Sequence, residues 1–161
     1  MRTPLRAAAA CSVAILLVAC GAEAPPAPVP ARDFGDPGVV TGSGYEMRYA
    51  ALQATLLPAE VTATYGIPQR SDRLVVNVSV LERRGDGLPA AVQAEVAGTW
   101  RALAGEPVPL EFRAITAGGS VSYVADAPLR DREPIVLELS ATPDGSTLPL
   151  RTRLTRRFDV D

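Results

Sequence analysis

The chain has 161 residues, with 16 basic and 18 acidic side chains, a formal charge of −2, and no histidine. That balance disfavours a nucleic-acid partner, and the missing imidazole removes both the commonest general base and the commonest metal ligand. The only two cysteines, Cys11 and Cys20, stand near the N-terminus, so the rest of the chain has no thiol chemistry, disulfide or thiolate metal site.

Arg2 and Arg6 form a short cationic start ahead of an apolar run over residues 7–18. The run is long enough for the core of an export signal and too short for a permanent membrane span. It closes on Leu17, Val18, Ala19 and Cys20, which resembles the bacterial lipobox. In proteins with that motif the cysteine sulfur receives a diacylglycerol, the chain is cut before it, and the new amino group is acylated. Residues 1–19 are therefore expected to be a lipoprotein signal peptide, and Cys20 the lipidation site. Processing at Cys11 would leave too short an apolar core. Gly21, a non-acidic residue after the cysteine, resembles the pattern of lipoproteins sent on to the outer membrane. The expected location is its inner leaflet, facing the periplasm, with the membrane met through the lipid.

Residues 22–32 hold prolines at 25, 26, 28 and 30 and almost no apolar bulk. Such a segment favours an extended polyproline conformation of about 3.1 Å per residue, a spacer. RDFGDPGVVTGSG continues with loop-forming residues, so 20–43 reads as a lipidated cysteine followed by a Pro/Gly-rich linker, docked at most through Phe34. A single domain is expected over 44–161, large enough to bury a sizeable core.

From Tyr45 the pattern takes a period of two, which predicts a strand over 45–54. PAEVTATYG reads as a short helix: Pro58 suits the first helical position, Glu60 the positive end of the dipole, and Gly66 the left-handed stop. Leu57 is a poor N-cap, costing about 1 kcal/mol against Ser or Thr. Further strands are predicted over 74–82, 90–102, 108–116, 121–126, 135–141 and 148–160, each bounded by turn residues. Seven strands without helices between them predict an all-β fold, an antiparallel immunoglobulin-like β-sandwich with one short helix after the first strand. A closed barrel is the alternative.

Several stretches carry a resemblance to a known family: FGD at 34–36, YEMRYAALQATLLPAEVTATYGIPQRSDRLVVNVSVL at 45–81, LEFRAI at 110–115, VSYVA at 121–125 and RRFDVD at the C-terminus. Together they resemble the uncharacterised periplasmic family called domain of unknown function 4426, with YGIPQRSDRLVVNVSVL the most specific portion. The family pattern has histidine where Arg48 stands, threonine in place of Leu57 and an aromatic at Asp159, and residues 38–43 look like an insertion. The replaced histidine argues against any family-wide histidine chemistry here. The resemblance implies an exported, β-rich domain and no particular activity.

The reactive groups left are Ser, Asp, Glu, Arg and Tyr. Every basic residue is arginine, which a chain rich in Ala, Pro, Gly and Val explains through its genome's composition, so each arginine is not taken for an anion binder. Arg151, Arg153, Arg157 and Asp159 share one face of the last strand, either as a solvated face paired with acids such as Glu111 or Glu138 or as an anion-facing patch. Arg156 falls in the apolar phase and reads as either a strand-end residue or a paired buried charge, with the strand end favoured. Arg70 and Arg73, flanking Ser71 and Asp72, could grip a carboxylate bidentately or pin their own loop. Asp126, Asp131 and Glu133 could gather calcium, although Arg130 and Arg132 interleave with them and make internal neutralisation the simpler reading. Tyr65 and Trp100 are the aromatics to test for exposure, since an aromatic ringed by arginine marks a recognition patch.

The expected function is that of a non-catalytic accessory module, recognising an envelope protein or polymer through Arg70, Arg73, Arg151, Arg153, Arg157, Tyr65 and Trp100. No catalytic residue, metal or cofactor is expected. One alternative is a carrier of a small apolar or lipidic ligand between the sheets, which needs a cavity of hundreds of cubic ångströms. A less favoured one is an Asp/Glu hydrolase using pairs such as Glu46/Glu60 or Glu95/Glu111.

Overall fold

The computed structural model describes residues 38–160 except 86 and 131. The signal peptide, Cys20, the proline segment and Phe34 lie outside the described residues. Among those described, no helix is long and apolar enough to cross a membrane.

The first strand, β1 (Gly38–Gly42), lies within what the sequence suggests is linker. It pairs antiparallel with β2 (Tyr45–Gln53), Gly38 opposite Tyr49 and Gly42 opposite Tyr45. The folded domain thus begins before residue 44. Its two valines are too few to show periodicity, and the pairing is made by backbone groups that Gly and Thr supply as well as any residue. A 3-10 turn at Ala54–Leu56 leads to α1 (Ala59–Tyr65). Pro58 takes the N-cap rather than the first helical position, and no side chain caps the helix. Its end is as expected: Gly66 adopts φ 62°, a left-handed conformation that costs glycine little, and the Ile67 amide returns to the Thr62 carbonyl at 2.9 Å.

The remaining strands are β3 (Arg73–Glu82), β4 (Ala90–Ala91), β5 (Ala94–Ala102), β6 (Val108–Pro109), β7 (Arg113–Ala117), β8 (Ser120–Pro128), β9 (Ile135–Pro143) and β10 (Leu150–Arg156). They form two antiparallel sheets. Sheet A has the order β1-β2-β3-β8-β7, with β4 beside the end of β3, and sheet B has the order β10-β9-β5-β6. The all-β sandwich is as expected, with ten strands among the described residues rather than seven. Two of the predicted strands are each divided between the sheets: 90–102 into β4 and β5, and 108–116 into β6 and β7. Period-two alternation continues across such a crossing, so it shows which residues face inward but not which sheet they belong to.

The core lies between the sheets. Met47, Leu74, Val76, Val78 and Val80 from sheet A face Leu137, Leu139, Ala141 and Leu150 from sheet B, with Trp100 and Phe112 packed against them. Full burial of such side chains stabilises by about 1.5–3 kcal/mol each. A second, smaller cluster covers the outer side of sheet A, where Ala54, Ile67, Val75 and Val124 are roofed by Leu57 and Tyr65. The helix thus closes the outer face of sheet A around its middle strands. Among the described residues, nothing covers the outer face of sheet B in this way.

Candidate recognition surface

Strand register places side chains in rows across the outer face of sheet B. Ala97 lies opposite Ser140 and Ser140 opposite Arg151; Thr99 lies opposite Glu138 and Glu138 opposite Arg153. Leu137 and Leu139, between these positions on β9, point into the core. The small side chains of Ala97, Thr99 and Ser140 leave an open groove of about 570 Å³ across three strands, bordered by Glu138, Arg151 and Arg153. Arg153 Nε lies 3.5 Å from Glu138 Oε1, an exposed pair that contributes little to stability but holds one guanidinium against the sheet. Arg151 makes no ion pair among the described residues and is exposed.

The other residues singled out in the sequence lie elsewhere. Arg70 donates two hydrogen bonds to Asp72, Nε to Oδ1 at 2.8 Å and Nη2 to Oδ2 at 2.5 Å. The bidentate grip expected for Arg70 thus exists, and the carboxylate in it is the chain's own. That hydrogen bond, with the positive charges of Arg70 and Arg73, lowers the Asp72 pKa against a smaller opposing effect of burial. The same partner raises the Arg70 guanidinium. Arg73 donates to Asp126 Oδ2 at 3.3 Å, and Arg113 stands 4.0 Å from the other oxygen of that carboxylate. Asp126 is therefore occupied by arginines and Glu133 approaches Arg130 at 3.9 Å, while Asp131 lies outside the described residues. Among the described residues, no group of three or more metal-ligating side chains occurs.

Tyr65 is half-buried against the outer cluster of sheet A. Trp100 is half-buried on the core side of β5, opposite Leu137 and Val108. Both pack against apolar clusters. Arg157 follows the end of β10 and is exposed. The seven residues of the expected patch are thus divided: Arg151 and Arg153 share the groove, whereas Arg70, Arg73 and Tyr65 are not among its lining residues and belong to the α1–β3 region. Sequence reasoning missed the groove floor, because Ala97, Thr99 and Ser140 carry no chemical signal until register aligns them. Of the proposed acid pairs, Glu46 accepts a hydrogen bond from Arg48, Glu60 sits in the first turn of α1, Glu95 is on β5 and Glu111 links β6 to β7.

The ion pair at Asp72 makes a testable statement. In Arg70→Gln the Asp72 carboxyl is expected to titrate higher, back toward the ordinary aspartate range, as followed by carbon-detected NMR. The depressed folded-state pKa means that the pair favours the folded state at neutral pH and loses this contribution as pH falls through the lowered carboxylate range. Screening of so exposed a pair keeps its effect on stability small. An unchanged titration in the variant would show that Arg70 is not the cause.

A family model described as domain of unknown function DUF4426 matches residues 40–161. The crystal structure of a DUF4426 family protein from Pseudomonas aeruginosa PAO1 is similar, with a TM-score of 0.65 and 24% identity, covering 78% of this chain and 96% of that one. FetP of uropathogenic Escherichia coli strain F11, recombinantly expressed in the periplasm, aligns with a TM-score of 0.53 and 12% identity over 76% of this chain and 93% of its own. A copper-bound variant of FetP gives 0.51 and 13%, over 76% and 94%. At these identities the likeness is one of fold. No curated protein matches the chain.

Proposed function

We propose that this chain, which belongs to the DUF4426 family, is a lipid-anchored, non-catalytic binding module of the bacterial envelope that holds an acidic protein segment against the outer face of sheet B. The observation that carries this reading is Arg151. It borders an open groove with no ion-pair partner among the described residues, whereas Arg70, Arg73, Arg113 and Arg153 each face a carboxylate of the chain itself. The groove is shallow and floored by small side chains, which suits an extended chain lying flat. Arginine can meet a carboxylate there with two parallel hydrogen bonds.

The address rests on the cationic start, the apolar run and the lipobox at 17–20. The fold shared with FetP, a protein expressed in the periplasm, agrees with an envelope location. We place the lipid on Cys20 in the inner leaflet of the outer membrane. Copper, bound by the FetP variant, does not suit this chain: histidine is absent, and Met47 is fully buried in the core. The module reading is favoured over the carrier because, of two cavities among the described residues, the one of about 570 Å³ lies outside sheet B and the one between the sheets, about 180 Å³, falls below the ~300–1,000 Å³ usual for drug-sized ligands.

In-cell crosslinking read by mass spectrometry tests the proposal. Wild type is expected to capture an acidic protein that Arg151→Glu loses and that Arg84→Glu, altered at an exposed residue paired with Glu82, retains. Capture of the same set by wild type and Arg151→Glu would overturn it, as would labelling of glycan strands alone.

A further inference from the structure

Where β1 and β2 of sheet A meet β10 of sheet B, the structure holds a second cavity, of about 180 Å³, lined by Gly38, Tyr49, Ala51, Leu154 and Arg156 among others. Its walls are held from both sheets. Tyr49 Oη and Thr152 Oγ1 are 3.3 Å apart and join the two layers. Gly38 passes so close over the tyrosine ring that a β-carbon there would lie 2.0 Å from Tyr49 Cζ, so a larger residue would have to displace the ring. Arg156 closes the cavity from the side of β10 that also carries Leu154, and donates from Nη1 to the Ala51 carbonyl oxygen at 2.9 Å.

That bond uses one N–H of the five in a guanidinium. A guanidinium carries a positive charge, and a charge withdrawn from water is ordinarily paired. No acidic side chain lines this cavity, and Arg156 makes no ion pair among the described residues. A fixed, half-buried cation thus faces a small polar space with donors to spare.

We propose that this seam cavity binds a single carboxylate, held by the remaining N–H groups of Arg156 beside the Tyr49 phenol. The volume admits a small free acid or the terminal carboxylate of a peptide and is too small for a drug-sized molecule. The site is separate from the outer face of sheet B and stands independently of the function proposed for it.

The test uses the isotope-labelled full-length protein, titrated at constant chloride with acetate, with N-acetyl-dialanine, and with the amide of that peptide. Saturable amide shifts are expected at residues 49–51 and 154–156. They should weaken about tenfold in Arg156→Gln, the scale of one charge-assisted contact, and persist in Arg157→Gln. Tighter binding of the peptide acid than of acetate identifies a chain end as the source, and the reverse identifies a free acid. Should Arg156→Gln fail to fold, wild type treated with phenylglyoxal gives the same answer: the acid should slow modification of Arg156 and leave Arg157 unprotected. Equal binding of the amide, shifts that rise without saturating or survive Arg156→Gln, or modification of Arg156 at an unchanged rate would each overturn the proposal.

Discussion

Leu137→Ala is expected to lower the melting temperature by about 10 °C, which for a domain of this size corresponds to roughly 2–5 kcal/mol. Leu137 is the central inward residue of sheet B, 0% exposed, flanked in register by Trp100 on β5 and Leu154 on β10. Its truncation removes buried apolar area and leaves a cavity that neighbours on three strands cannot all collapse to fill. Total stability of such a domain is only about 5–15 kcal/mol, so the loss is a large fraction of it. The control is Leu88→Ala. Leu88 is 91% exposed in the loop before β4, and its removal should change stability by less than about 0.5 kcal/mol. Thermal unfolding followed by circular dichroism compares the two. Similar melting temperatures for both variants would mean that the sheets do not pack as described.

Replacement of residues 1–20 by an ordinary cleavable export signal is expected to move the protein completely from the membrane to the soluble periplasmic fraction. On the proposed lipidation, three acyl chains hold the protein through about 0.8 kcal/mol for each buried CH₂, and no other attachment replaces them. The freed protein should melt at the wild-type temperature, because the described core is built on residues from β1 onward, all of which it keeps. Fractionation with intact-mass measurement reads both arms. Wild-type protein with an unmodified N-terminus, or protein exported without Cys20 that stays with the membrane, would remove the lipid anchor from the account.

The strongest strands were legible because their alternation is unbroken. β3 places Leu74, Val76, Val78 and Val80 on one side, and all four are buried in the main core. The helix was legible from Gly66 and its neighbours, and misplaced by one residue at Pro58, where the absence of a capping side chain leaves the start to backbone geometry. β1 was not legible, since a short edge strand is stabilised by its partner rather than by its own residues. At the charged residues the same division holds. Asp72 lies two positions from Arg70, so their pairing could be anticipated; Asp126 lies 53 positions from Arg73, and nothing local announces it. Arg153 and Glu138 become neighbours only through the β9–β10 register.

Local chemistry by itself determined the absence of histidine, the confinement of cysteine to positions 11 and 20, the all-β class and the inward face of the strongest strands, and it is the ground of the proposed export address. Each of these depends on residue type or on spacing within one segment. Tertiary structure alone decided which sheet each strand joins, which arginines are neutralised, where small side chains align into a groove, and that Arg156 reaches across the seam. Those outcomes depend on residues distant in the chain meeting in space, because hydrogen-bond register and sheet crossing are set by pairing between segments and leave no mark within either one.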